Sequence, residues 1–151
     1  MATNMHIDLF VEDAPPGATQ PVEVERLADG TYRLLYSPGL VEGIAAGDVV
    51  RVVDPGTGGF ELVSRGGNVA IKVLHDQIAA VRSCLDPRFE RLGGRCDGAI
   101  EKAAVYTVPV TAGFDSIQNV MRAMVTEVAG SSWYFGNIYD ADDNPLNWWL
   151  D

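Results

Sequence analysis

Along the first half of the chain, apolar and polar residues alternate in short runs separated by turn-forming residues. Ile7, Leu9 and Val11 alternate with polar neighbours within residues 1–11, the period of two that marks a half-buried strand. Ala14-Pro15-Pro16-Gly17 reads as a turn or linker, because proline lacks the N–H that a sheet ladder requires. Residues 22–26 and 32–36 flank Asp29-Gly30, a dipeptide suited to the positive φ of a tight hairpin. A glycine-spaced connection over residues 37–48 leads into a strand at 49–53. Further glycine turns at 54–59 and 65–68 separate strands at 60–64 and 69–74.

The period then changes. Ile78, Val81 and Leu85 share one face of a helix for which Asp76 is the expected N-cap, and Pro87 is expected to break that helix or start a new turn. Residues 99–101 and 104–110 read as two strands, the first short. The clearest helix follows, capped by Asp115 or Ser116, with Ile117, Val120, Met121, Met124, Val125 and Val128 on one stripe and Gly130 at its C-terminal cap. Aromatic residues 133–139 read as a final strand.

The pattern predicts an α+β protein. Residues 1–68 form a β-rich unit, a small curled sheet or barrel, and residues 69–151 follow the β-α-β-β-α-β order of a ferredoxin-like sheet, ending in an acidic, Trp-containing tail. The two units are separate lobes or parts of one compact domain.

Composition fits an ordinary folded protein, with 47% apolar and 21% charged residues in 151. No apolar run reaches the roughly 20 residues of a membrane-spanning helix, and the start lacks the basic and apolar regions of a secretory signal. Cys84 and Cys96 form no CxxC motif, so both are expected as free thiols in a cytoplasmic protein. The net charge of −10 is located at the ends: residues 1–25 and 123–151 carry five acidic residues each and no Lys or Arg, leaving the middle neutral. That charge repels phosphate backbones, which argues against a nucleic-acid partner, and attracts a basic protein.

Candidate chemistry is sparse. His6 and His75 belong to no HxH or HExxH pattern. Asp140-Ala141-Asp142-Asp143-Asn144 resembles the start of a calcium loop, but Pro145 and Asp151 stand where that loop needs glycine and glutamate, so a solvated turn is expected and no metal. Cys84 and His75 are a conceivable nucleophile–base pair set against the commoner reading of a buried, inert thiol. Ser131-Ser132 lacks a nucleophile elbow. Gly56-Thr57-Gly58-Gly59 and Arg65-Gly66-Gly67-Asn68 lack a Walker lysine and a following helix, so hairpin turns explain them better than phosphate cradles. No cofactor is implied. In the tail, Trp148 and Trp149 beside Asp140, Asp142 and Asp143 are suited to a basic partner, unless the tryptophans fold back on the protein's own core.

Val22-Glu23-Val24-Glu25-Arg26-Leu27, Asp29-Gly30-Thr31-Tyr32-Arg33-Leu34, Gly43-Ile44-Ala45-Ala46-Gly47-Asp48-Val49-Val50 and Val63-Ser64-Arg65-Gly66-Gly67-Asn68 together resemble a bacterial family of unknown function, the family numbered four-two-six-five. The resemblance spans roughly residues 20–140 and implies no reaction and no catalytic residue.

The sequence thus favours a non-catalytic binding protein. The expected function is that of an immunity protein that occludes the active site of a basic bacterial toxin domain, with Asp140, Asp142, Asp143, Trp148 and Trp149 in contact and Glu12 and Asp13 as a second acidic patch. The alternative is a regulatory module that senses a small molecule through its ferredoxin-like half.

Overall fold

The computed structural model describes residues 5–150, so the first four residues of the expected opening strand and Asp151 lie outside the described residues. Five strands form the first sheet: β1 (Met5–Phe10), β2 (Thr19–Arg26), β3 (Tyr32–Leu34), β4 (Val49–Asp54) and β5 (Gly59–Ser64). They pair antiparallel in chain order, an arrangement that local turns can build. Leu9, Val11, Val22, Val24, Leu34 and Val50 project to one side and bury a cluster with Val41 and Ile44. The Phe10 N–H donates to the Gly58 carbonyl (2.9 Å), which brings β1 against the turn before β5. Gly58 has φ of 81°, and a Cβ there would lie 2.7 Å from the Phe10 nitrogen, so the approach requires glycine.

The second sheet has four antiparallel strands, β6 (Asn68–Leu74), β7 (Arg95–Ile100), β8 (Ala103–Pro109) and β9 (Ser132–Phe135), in the spatial order β7-β8-β6-β9. Helix α1 (Ile78–Arg91) crosses from β6 to β7 and α2 (Phe114–Glu127) from β8 to β9, each joining strands two places apart in the sheet. Val69, Ile71 and Val73 of β6 and Ala104, Tyr106 and Val108 of β8 face the helices and form the larger core with Val81, Leu85, Phe89, Ile117, Met121 and Met124. At this coarser level the α+β expectation holds, with two antiparallel sheets and two helices.

Several local expectations are corrected. Helix α1 runs through Pro87 without ending. Its first residue follows Gln77, not Asp76, and the start is fixed by His75, whose Nδ1 accepts the Gln77 N–H (2.9 Å). Helix α2 begins at Phe114 behind Gly113, one residue before Asp115, which lies in the first turn. Strand β7 starts four residues before the expected 99–101 segment, and a bulge between Cys96 and Gly98 hides its alternation. Strand β9 stops at Phe135, beyond which the Asn137 side chain substitutes for the ladder: its Oδ1 accepts the Ala70 N–H (2.9 Å) and its Nδ2 donates to the Asn68 carbonyl (2.8 Å).

The 35–48 connection straps the two sheets together. Gly43 N–H donates to the Gly136 carbonyl (2.7 Å), and the Ala46 carbonyl accepts from Asn68 Nδ2 (2.8 Å). Buried Asp48 accepts the N–H groups of Ala45 (3.0 Å) and Gly66 (2.8 Å) and pairs with Arg65 (3.4 Å). Backbone crosses backbone at this junction, since a Cβ on Gly66 would stand 2.4 Å from the Gly47 carbonyl carbon. Gly67, next in sequence, has φ of 83° but open space around it. Gly66→Ala is therefore expected to cost about 3 kcal/mol, the upper end of overpacking, because the displaced atoms are main chain. Gly67→Ala is expected to cost about 1 kcal/mol through its backbone conformation alone. Urea midpoints of the two variants check the order; equal losses would refute the crossing as the tighter constraint.

Candidate binding cleft

The helices cover one face of the second sheet, and the strap covers half of the other. Ala70, Lys72, Val105 and Thr107 are buried on that second face beneath the strap. Beyond it, towards Leu74, Ile100 and Ala103, the face stays open. The first sheet stands beside this opening and makes a cleft of about 830 Å³. Its floor is Leu74, Ala99, Ile100, Ala103 and Val105; its walls are Tyr36–Leu40 of the strap, His6, Gln20 and Glu23 of the first sheet, and Tyr134 of β9. Leu40 and Ile100 are 62% and 71% exposed, an unusual setting for large aliphatic side chains that flank a concavity. Gln20 fixes one wall, its Oε1 accepting the Leu40 N–H (2.8 Å).

Most polar groups of the cleft are engaged by the protein itself. Lys72, 4% exposed, donates to the Val41 carbonyl (3.2 Å) and to Glu42 (3.0 Å). Burial pulls its ammonium below the ordinary lysine range, and Glu42 opposes that pull. The buried Asp97 carboxylate accepts from the Ser37 N–H (2.7 Å), from the Thr107 hydroxyl and from Arg95. Since Thr107 gives its one hydroxyl proton to Asp97, the Ser37 hydroxyl is the donor in the 2.6 Å Ser37–Thr107 contact, and it accepts the Ala46 N–H (2.9 Å). Tyr134 donates to Glu42 (3.2 Å) and is pushed up to about 12, first by burial and then by that carboxylate.

The residues singled out from sequence lie elsewhere. Trp148 and Trp149 fold back on the larger core: Trp148 donates its indole N–H to the Asn137 carbonyl (2.9 Å) and lies under the Arg65 guanidinium, while Trp149 packs edge-on against Phe114. The alternative weighed from sequence, a tail that covers the chain's own core, describes their packing. Asp140, Asp142 and Asp143 are exposed on a turn in which Asp140 Oδ1 accepts the N–H groups of Asp142 (2.9 Å) and Asn144 (3.0 Å). Glu12 and Asp13 are exposed on the turn after β1, beside the smaller core. No hydrogen bond or ion pair among the described residues joins the two acidic patches. Among those residues no group of three or more metal-ligating side chains converges.

The conceivable Cys84–His75 pair does not form. His75 Nε2 meets the Ala129 carbonyl (2.9 Å), and Cys84 sits beside Arg88 (3.1 Å) and Glu127 (3.5 Å), its thiol pushed up chiefly by burial. Both cysteines are free thiols. No described helix is long and apolar enough to cross a membrane.

Sequence reasoning missed the cleft because its residues are scattered over seven segments, each of which reads as an ordinary strand or turn. The available signal was in β6 and β8, where the face opposite the helices continues past the strap to Leu74 and Ala103.

The family model described as Domain of unknown function (DUF4265) matches residues 21–132. No curated protein matches the chain. Among solved structures, a hypothetical protein from Neisseria gonorrhoeae has a similar fold, with a TM-score of 0.65 over 90% of this chain and 94% of that one at 13% identity.

Two measurements test this arrangement. Trp148→Ala is expected to cost roughly 2–3 kcal/mol in chemical denaturation, somewhat less than truncation of a fully buried tryptophan; an unchanged midpoint would return Trp148 to the list of free contact residues. Tyr134 is expected to ionise near pH 12 by its 295 nm absorbance. Its folded pKa exceeds the unfolded value of about 10, so the stability it contributes is complete below pH 10 and is lost as the pH rises to 12. Tyr134→Phe should flatten that loss, and a profile identical to the parent would contradict it.

Proposed function

The chain belongs to the DUF4265 family, a membership that prescribes no reaction, and on that premise we propose a non-catalytic ligand-binding module whose site is the cleft between the two sheets. The observation that carries this reading is an open, largely apolar concavity of about 830 Å³ whose buried polar groups are all hydrogen-bonded internally. The polar side chains at the base, Lys72, Asp97, Ser37 and Thr107, are engaged in protein hydrogen bonds, which leaves none of these four free to serve as nucleophile or general base. The architecture suits the role. We read the second half as a ferredoxin-like sheet, β-α-β-β-α-β with spatial order β7-β8-β6-β9, and the first as a small barrel drawn closed at Phe10 and Gly58. The barrel then acts as a side wall for the sheet face that the helices leave bare.

A second reading is favoured by a different observation. Glu12, Asp13, Asp140, Asp142 and Asp143 are exposed and make no ion pair among the described residues, so they remain available to a basic protein such as a toxin domain. An immunity protein of this kind would engage through its acidic turns, with the tail tryptophans in a supporting position. The cleft is preferred because it is one continuous site, whereas the acidic turns flank different cores.

A thermal-shift screen against metabolites separates the two. A cleft ligand is expected to raise the melting temperature of the parent and to lose that effect in Ala103→Phe, which fills the floor. A flat response across the panel, together with capture of a basic toxin domain whose binding weakens steeply with salt, would replace the first reading by the second.

A further inference from the structure

The charge of the ligand follows from which groups in the cleft remain free to meet it. The nearby cations are held by the protein: Lys72 at the base by Glu42 and the Val41 carbonyl, and Arg95, over the Tyr36 ring outside the lining, by Asp97 and the Leu35 carbonyl (2.9 Å). The Glu23 carboxylate is less fully held. It faces the opening with the His6 imidazole at 3.5 Å, and the two side chains are 33% and 56% exposed. A pair so long and so wet contributes little and leaves the Glu23 oxygens open to another donor. Glu42 lies outside the lining of the cleft, half-exposed, and shares its charge between Lys72 and the Tyr134 hydroxyl. Beside Glu23 lies the apolar floor of Leu74, Ala99, Ile100 and Ala103, flanked by the rings of Tyr36 and Tyr134. The net charge of −10 adds a field that concentrates cations at such an opening and repels anions.

We propose that the cleft takes an amphipathic amine, its apolar body on Leu74, Ile100 and Leu40 and its ammonium group at the Glu23 carboxylate. The assignment rests on the cleft reading above and adds the ligand's charge and orientation. An anionic ligand of the same shape finds Lys72 already engaged at the base and meets Glu23 as repulsion. A neutral one gains the apolar contacts alone.

Calorimetric titration of the full chain with decylamine, decanol and decanoate, below their aggregation limits and at low salt, tests the proposal. The amine is expected to bind most tightly and the acid most weakly. Glu23→Gln should reduce amine affinity roughly two- to fivefold, towards that of the alcohol, and leave the alcohol unchanged, as the loss of a partly exposed charge pair predicts. Leu74→Lys, at an exposed strand end where the fold tolerates a polar side chain, places a competing ammonium in the cleft and should weaken the amine more than the alcohol. Decanoate binding as tightly as decylamine, or an unaltered amine affinity in Glu23→Gln, would overturn the charge assignment while leaving the cleft as a binding site. Amine binding that survives both Leu74→Lys and Ala103→Phe would place it on the acidic surface and overturn the assignment as well. Absence of binding by all three probes to a chain with an intact NMR spectrum would overturn the cleft reading itself.

Discussion

The close crossing of Gly47 and Gly66 is the constraint on which the rest of the molecule depends. Two backbones meet there with no room for a Cβ on Gly66, and the buried Asp48 carboxylate bridges them through the Ala45 and Gly66 N–H groups. Burial raises the Asp48 carboxyl above the ordinary aspartate range, while the two N–H groups and Arg65 draw it back. A buried acid without those donors would carry a desolvation penalty of several kcal/mol. With them, the junction holds the strap against the second sheet. The same strap then orders everything downstream of it: Val41 and Glu42 reach Lys72, Ser37 reaches Asp97 and Thr107, and Tyr36–Leu40 stand clear as a wall. The cleft is what remains of the open sheet face after the strap has taken its half.

What could be read in the sequence divides along a physical line. Elements whose identity comes from period and burial were legible. Ile117, Met121 and Met124 of the expected stripe form the buried face of α2, although Val125 is exposed and Val128 stands at the C-terminal cap, and alternation at Ile7, Leu9 and Val11 marks β1 and its inward face. Features that depend on partners distant in sequence were not. Asp76 has the chemistry of an N-cap, but α1 starts behind Gln77 without a side-chain cap, where His75 accepts the Gln77 N–H while its ring is held by the Ala129 carbonyl, 54 residues away. Pro87 has the chemistry of a helix breaker, yet α1 continues because the turn around it is anchored on both sides: Leu85 and Phe89 are buried in the core, and Asp86 accepts from the Tyr106 hydroxyl and Arg82. Packing of that strength outweighs a local penalty of about 3 kcal/mol. The bulge in β7 and the side-chain ladder of Asn137 are likewise invisible to a pattern of apolar positions, since each is a departure from regular pairing.

The candidate site was less legible than the fold for a related reason. Charge was read as a property of the ends of the chain, and by count it is. In space, charges are sorted by whether they have partners. Arg33 and Arg51 pair across neighbouring strands with Glu25 and Glu61, Arg82 pairs within α1 with Asp86, and Arg88 pairs with Glu127 of α2, so basic residues of the middle also neutralise carboxylates counted with the ends. The acidic surplus therefore falls to residues such as Asp140 and Glu12, which lie on turns of different cores and share no contact. Separated patches of that kind favour solubility and a diffuse attraction to cations, and neither has a shape. Shape enters where an underpaired carboxylate borders exposed apolar surface inside a concavity. Glu23 beside Leu74, Ile100 and Leu40 meets that condition, and no two of these residues are close enough in sequence to have suggested it.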